Sequence, residues 1–259
     1  DGARLDQALA AAVARDLLIE EFGQPAWSLP PPSFERSRYQ DYRGISLLPY
    51  AGPDLALTVR ASLVAPDRFD PYLLREALRL WVDTPDLTRE RRVIALAALA
   101  ALGDPVLLDT RRLAAEPDLT VRERLYLALA YAEAGDDASA LAIERELLGA
   151  YGQRLGPWVR LDVGASLDDT LEATSLLALL AAGLGDPIAA DAEAYVEANP
   201  GHDDLFVLQQ LGYVRRSLER ADPAAGRFAA TVAGERSVVE LGPGEGWSLT
   251  FTADQLATL

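Results

Sequence analysis

Apolar residues recur at helical spacing along most of the chain, in runs that stop at short polar turns. Two of these runs, DLTRERRVIALAALAALGD from Asp86 to Asp104 and DLTVRERLYLALAYAEAGD from Asp118 to Asp136, align without gaps at an interval of 32 residues. Thr88 and Thr120 suit the N-terminal edge of a helix, and the Gly near each end supplies the left-handed residue that terminates one. The interval indicates a repeated pair of antiparallel helices.

The Gly-Asp turn that ends each run predicts the start of the next helix. Asp104 and Asp136 are expected to cap that helix, and Pro105 fits its first turn. The sequence LGDP returns at residues 184–187. Together these signals predict helical hairpins near 54–82, 87–115, 120–150 and 169–198, with further helices near 3–21 and 203–219.

Two longer segments, residues 24–53 and 151–167, interrupt the helical pattern and are expected to be irregular. The first leads into GISLLPYAGPDLALT, from Gly44 to Thr58, which is apolar yet contains two prolines and two glycines. We interpret this stretch as a loop that packs between hairpins. In this interpretation Asp54 caps the helix that carries Thr58.

The pattern changes to alternation near the end of the chain. The stretches RFAATVAG and WSLTF alternate apolar and polar positions, and GPGEG at residues 242–246 is typical of a turn between strands. The sequence therefore predicts a helical unit over residues 1–222 and a β segment over 223–259, which belongs to a following or partial β domain.

Composition narrows the classes of function. The net charge is −16 and all 24 basic residues are Arg, without the basic stripe that nucleic-acid binding needs. Arg, Asp or Glu interrupts every apolar run before it reaches the roughly 18 residues of a membrane span. Cys and Met are both absent, which removes thiolate chemistry and leads us to interpret the chain as an excised or processed piece of a longer protein.

Four stretches resemble the thioester-containing domain of the α2-macroglobulin and complement family, especially its bacterial members. They are GISLLPYAGPDLALTVRASLVA, the Ala-rich helices that end in Gly-Asp, LEATSLLALLAAG after a loop that carries Trp158, and the β segment from Arg227. The resemblance covers most of the chain in order. It implies a mainly α fold, an α/α toroid of helical hairpins that is terpenoid cyclase-like, followed by a short β segment.

The same resemblance implies a non-catalytic role without a cofactor. The domain would belong to a larger extracytoplasmic protein (secreted, periplasmic or at the cell surface) that traps a protease or binds a surface, with a protein or protease and the parent's other domains as partners. The family's Cys-Gly-Glu-Gln thioester is missing. Because helix 3–21 resembles the outer helix that comes next in the family, a thioester would lie upstream of Asp1 or would not exist.

Two other functions stay open. LALAYAEAGDDASALAIERELL, residues 127–148, looks like a tetratricopeptide repeat, so a helical-repeat scaffold is one alternative. Asp168 and Asp169 would be the acidic residues of a central cavity if the chain were a toroidal enzyme. No DDxxD pattern is present, and carboxylates at a helix start also favour the helix dipole. His202 has no second His to join it in a metal site.

The candidate partner-contact residues come from the long loops and the helix starts. Tyr50, Trp158 and Arg160 lie in loops that should converge on one rim of a ring, and exposed aromatic and Arg side chains suit protein contact. The alternative is that these side chains pack beneath their own loops. Asp54, Asp168 and Asp169 lie at the helix starts beside these loops.

Overall fold

A computed structural model of the protein describes residues 4–21, 23–31, 34–84, 87–164, 166–199, 204–220, 226–232 and 235–241. Within these ranges the chain is mainly helical, with ten α-helices and three two-stranded antiparallel sheets. The helices are α1 (Leu5–Glu20), α2 (Leu55–Val64), α3 (Pro71–Asp83), α4 (Arg89–Ala101), α5 (Leu107–Ala114), α6 (Val121–Glu133), α7 (Asp137–Tyr151), α8 (Leu167–Leu184), α9 (Ile188–Ala198) and α10 (Asp204–Arg220). The strands are β1 (Gln40–Asp41), β2 (Gly44–Ile45), β3 (Gly152–Leu155), β4 (Trp158–Leu161), β5 (Gly226–Val232) and β6 (Glu235–Leu241).

The predicted hairpins and single helices are confirmed, and so are most of their local signals. The side chain of Thr88 accepts a hydrogen bond from the N–H of Arg91. Thr120 forms a capping box with Glu123, in which each side chain binds the other's backbone N–H at 3.1 and 2.8 Å. Gly103 and Gly135 have φ values of 79° and 78°. The helix ends in the repeated runs are therefore set by local chemistry.

The predicted cap at Asp104 is wrong, although its counterpart Asp136 does cap α7 by accepting from the N–H of Ser139. Helix α5 starts after Val106 and has no side-chain cap. The carboxylate of Asp104 instead accepts hydrogen bonds from Arg75 at 2.8 Å and Arg79 at 2.7 Å. Two charged donors from α3 therefore replace the backbone N–H groups that the sequence predicted as partners.

Alternate helices differ in how much of their surface is buried. Helix α4 buries every residue from Val93 to Ala100, whereas α3 buries only Leu74, Ala77 and Leu78 on one face. A helix that is apolar all round is enclosed by other elements, and a helix with a single apolar face lies at the surface. By this criterion α2, α4, α6 and α8 are inner helices, and α3, α5, α7 and α9 are outer helices. We add α10 to the inner helices because it contacts both α8 and α2, and α1 to the outer helices because it packs on α10.

The inner helices pack against one another in succession. Helix α2 contacts α4, α4 contacts α6, α6 contacts α8, α8 contacts α10, and α10 contacts α2. Helices α2 and α10 run in the same direction, because Arg60 of α2 meets Gln209 of α10 and Val64, one turn later, meets Arg215. The starts of α4, α6 and α8 line one pocket and therefore also lie together. The loops that precede the inner helices therefore lie at one common end.

Both long insertions contain short strands that the sequence analysis had treated as irregular. Strands β1 and β2 pair within residues 24–53, and β3 and β4 form a hairpin within residues 151–167. In the predicted β segment, β5 and β6 form an antiparallel hairpin. The predicted strand WSLTF and the GPGEG turn lie outside the described residues. Among the helices of the described ranges, none combines the length and the apolar composition that a membrane span requires.

Candidate functional site

The loop before α2 is fixed by a buried threonine. The hydroxyl oxygen of Thr58 accepts a hydrogen bond from the N–H of Ile45 at 2.9 Å, while its proton goes to the carbonyl oxygen of Asp54 at 2.7 Å. The carboxylate of Asp54 accepts from the N–H of Leu57 at 2.9 Å, so Asp54 caps α2 as predicted. The loop can pack this closely because Gly44 has no side chain: a Cβ there would lie 2.8 Å from the ring of Trp81.

The loop before α8 repeats this arrangement. The hydroxyl oxygen of Thr174 accepts from the N–H of Leu161 in β4 at 3.1 Å and donates to the carbonyl oxygen of Thr170 at 2.7 Å. In both loops the accepting threonine follows the donating residue by 13 positions. Helices α2 and α8 thus each hold a β-strand of their own preceding loop in place.

These anchors leave aromatic side chains exposed. Tyr50 is 79% exposed and Trp158 is 37% exposed. The loop that carries Tyr50 also presents Trp27 and Tyr42, which are 88% and 62% exposed. These two residues were not predicted from the sequence, although an aromatic residue among Pro, Ser and Arg indicates an exposed ring on a loop. Exposed rings on fixed loops suit contact with another protein.

Arg160 lies on β4 but is not free to act as an isolated cation. Its guanidinium carbon lies 5.9 Å from the centroid of the Tyr195 ring. Its Nη2 donates to Gln153 at 2.9 Å and to Asp162 at 3.2 Å. These contacts join the β3–β4 hairpin to α9, so Arg160 supports the position of neighbouring Trp158.

The two aspartates at the start of α8 differ in their surroundings. Asp168 is exposed in the first turn. Asp169 accepts a hydrogen bond from the hydroxyl of Ser166 at 2.6 Å, and its own N–H donates back to that oxygen at 3.1 Å. Asp169 also borders a pocket of about 410 Å³ at the start of α4, α6 and α8, together with Glu90, Arg122 and Glu172.

A network of polar side chains joins all five inner helices beside this pocket, and we call it the five-helix polar network. It consists of Arg60, Glu90, Arg122, Glu172 and Gln209, one residue from each inner helix. Oε1 of Glu172 accepts from Arg60 at 3.0 Å and from Arg122 at 2.9 Å. Arg60 also donates to Gln209 at 3.0 Å, and Arg122 to Glu90 at 2.7 Å.

Tyr126 lies next to the five-helix polar network and is 1% exposed. The guanidinium carbon of Arg122 lies 6.0 Å from the centroid of its ring. Burial raises the pKa of the Tyr126 phenol, because the charged form would lose its hydration. Tyr126 is therefore a neutral neighbour of the network at physiological pH.

The chemistry of the network is that of a paired set of charges. Two arginines and two glutamates neutralise each other, so neither carboxylate is left as an unpaired base. Among the described residues, no group of three or more His, Asp or Glu side chains could hold a metal ion. The arrangement suits a structural connection between helices better than proton transfer.

Sequence reasoning did not identify the five-helix polar network. Arg60 carries the one available signal, because it is a charged residue inside the apolar run LALTVRASLV of α2. A charge that is buried all round requires a partner, but the sequence does not say which one. Its partners Glu172 and Gln209 follow 112 and 149 positions later.

No family model matches the sequence, and no curated protein matches it.

Proposed function

We propose that the chain is an α/α toroid that serves as a non-catalytic protein-interaction domain of a larger extracytoplasmic protein. The observation that carries this proposal is the succession of inner helices, in which α10 returns to α2 through Arg60 and Gln209. Such a succession brings all the loops before inner helices to a single end. The resemblance of the sequence to the thioester-containing domain of the α2-macroglobulin family supports the same arrangement.

The proposed contact surface is the end of the toroid at which the inner helices begin. We include in this surface Tyr50 and Trp158, exposed side chains of the loops that Thr58 and Thr174 hold. Loops that are already ordered lose little conformational freedom on binding, which favours affinity. The partner would be a protein, either a protease to be trapped or a molecule on a surface, with no nucleic acid involved, as the charge of −16 favours.

Two measurements test this proposal. Small-angle scattering of the chain tests the toroid, because a compact disc supports it and an elongated arc would instead favour a tetratricopeptide-like scaffold. A photo-crosslinking residue placed at Tyr50 or Trp158 of the full-length protein tests the surface. The control is Tyr72 on α3, which is 66% exposed. Cross-links to a protein partner from the two loop positions and not from Tyr72 are expected, and equal cross-linking at Tyr72 would contradict the proposal.

A toroidal enzyme is the second candidate, because Asp169 does border a pocket beside Glu172. The contacts of these carboxylates weigh against it, since Glu172 is held by two arginines and Asp169 by Ser166. Unchanged turnover in a variant with Asp168 and Asp169 both replaced by Ala would rule out this acidic pair as the site of an enzyme. Loss of a measured turnover in that variant would favour the enzyme instead.

A further inference from the structure

A groove on the outer surface lies between α5 and α7 and above α6, and we call it the outer groove. It has a volume of about 470 Å³. Its lining is mixed, and the apolar residues in it include Leu119, Leu127, Ala142 and Ile143. Leu127 is fully buried, but Ala142 is exposed and Leu119 and Ile143 are only partly buried.

The groove exists because neighbouring outer helices differ in length. Helix α5 has eight residues and ends at Ala114, whereas α7 has fifteen. Both helices pack against α6. Since α5 ends early, it leaves part of the apolar surface of the α6–α7 hairpin uncovered.

The loop that follows α5 lies at the edge of the groove and is fixed there by hydrogen bonds from Arg89. Arg89 donates to the carbonyl oxygens of Pro117 at 2.8 Å and Asp118 at 2.7 Å, and to the carboxylate of Glu123 at 2.8 Å. Asp118 has a φ of 57°, the one positive value at a non-Gly residue in the part of the chain that the structure describes. A non-Gly residue in this conformation is retained where its surroundings determine it. The groove is therefore preformed, which lowers the cost of binding.

The rim of the outer groove is predominantly acidic. Glu116, Asp118 and Glu146 line it, with Arg124 as the one cation among its lining residues in the described chain. Nη1 of Arg124 donates to Oε1 of Glu146 at 2.5 Å, and Nη1 of Arg89 lies 3.6 Å from Oε2 of Glu116. Asp118 therefore has the rim carboxylate that is left for a cationic partner. The whole chain, including this rim, has a net charge of −16. The electric field of a negatively charged protein attracts cationic partners.

We propose that the outer groove binds a basic segment of a partner protein. An apolar side chain of that segment packs on the apolar lining residues, and a Lys or Arg beside it meets the carboxylate of Asp118. A second copy of this chain fits less well, because it would bring its own excess of negative charge to an acidic rim. The site includes the loop before α6, but none of its lining residues belongs to the loops of Tyr50 and Trp158, so it does not depend on the role of those two residues.

The test uses three peptides of equal length as probes, added to the ¹⁵N-labelled chain in NMR titrations. One contains Lys and Leu, one Lys and Ser, and one Glu and Leu. The Lys–Leu peptide is expected to shift the amide signals of Leu119, Tyr131 and Ile143, and the other two peptides are expected to bind at least about tenfold more weakly. The affinity for the Lys–Leu peptide is also expected to fall as salt is added.

Two variants of exposed alanines in α7 provide the matched comparison. Ala142→Arg places a long cation in the outer groove, whereas Ala150→Arg changes the same helix outside it. Binding of the Lys–Leu peptide should weaken about tenfold or more in the first variant and stay within about twofold in the second. Equal binding by both variants, or chemical-shift changes centred outside the outer groove, would overturn the proposal. So would equal binding of the Lys–Ser or Glu–Leu peptide. Shifts in the groove that appear only when the chain self-associates would also overturn it.

Discussion

Arg60 and Glu172 form an ion pair between α2 and α8, two inner helices that are not consecutive in the packing succession. The distance from Nη2 of Arg60 to Oε1 of Glu172 is 3.0 Å, and the two side chains are 5% and 18% exposed. The same carboxylate oxygen also accepts from Arg122. A single residue of α8 therefore connects α2 and α6, and the five-helix polar network depends on it.

Replacing Glu172 with Gln is expected to lower the free energy of unfolding by about 3 kcal/mol, because two arginines would lose their shared counter-charge in a buried site. Chemical denaturation measures the change. Asp169→Asn, one turn earlier on the same helix, is the control and should change stability by less than about 1 kcal/mol. Equal effects of the two substitutions would contradict the importance assigned to the network.

The loop anchors give a second prediction. Thr58→Val and Thr174→Val should each lower the free energy of unfolding by about 1 to 3 kcal/mol, because the buried N–H of Ile45 or Leu161 would lose its acceptor. Thr110→Val is the matched control. Thr110 is also fully buried, but its hydroxyl donates only to Val106 of its own helix. If all three variants lose the same stability, the loops do not depend on these hydroxyls.

Glu144 of α7 predicts a pH dependence of stability. Burial raises the pKa of its carboxyl to about 7, with a smaller contribution from Asp186, and neither carboxyl oxygen has a hydrogen-bond partner. Above its ordinary pKa of 4.5 the unfolded chain loses this proton while the folded chain retains it. Stability should therefore fall as the pH rises from about 4.5 to 7, by roughly 1 to 3 kcal/mol.

The variant Glu144→Gln checks this assignment, because it cannot titrate. Thermal unfolding between pH 4.5 and pH 8 should show a smaller loss of stability in the variant than in the wild type. A residual slope is expected, since burial also raises the pKa of Glu193. Parallel curves for wild type and variant would show that Glu144 does not carry the dependence.

Two glycines within helices should respond in opposite directions to substitution by Ala. A Cβ at Gly212 of α10 would lie 2.9 Å from Cγ2 of Val64 and 3.1 Å from Cδ1 of Leu179, so Gly212→Ala should destabilise the chain by about 1 to 3 kcal/mol. A Cβ at Gly149 of α7 would meet nothing within 4 Å. Gly149→Ala should therefore stabilise by roughly 0.5 to 1 kcal/mol, and the sign of the difference can be measured in denaturant titrations.

The sequence by itself determined the helices and most of their ends. Thr120 caps α6 three residues ahead of its partner Glu123, Asp54 caps α2 across the same distance, and Gly135 ends its helix through its own backbone conformation. These interactions join residues within one turn, so they can be inferred from spacing alone.

Only the tertiary structure decided which side chains meet across the chain. Asp104 does not cap α5, because its carboxylate binds Arg75 and Arg79 of the preceding outer helix. The β3–β4 hairpin depends on Thr174, which lies in the next helix. The partners of the five-helix polar network are 32 to 149 residues apart. A buried charge in a sequence shows that a partner must exist, but the packing of the inner helices selects that partner.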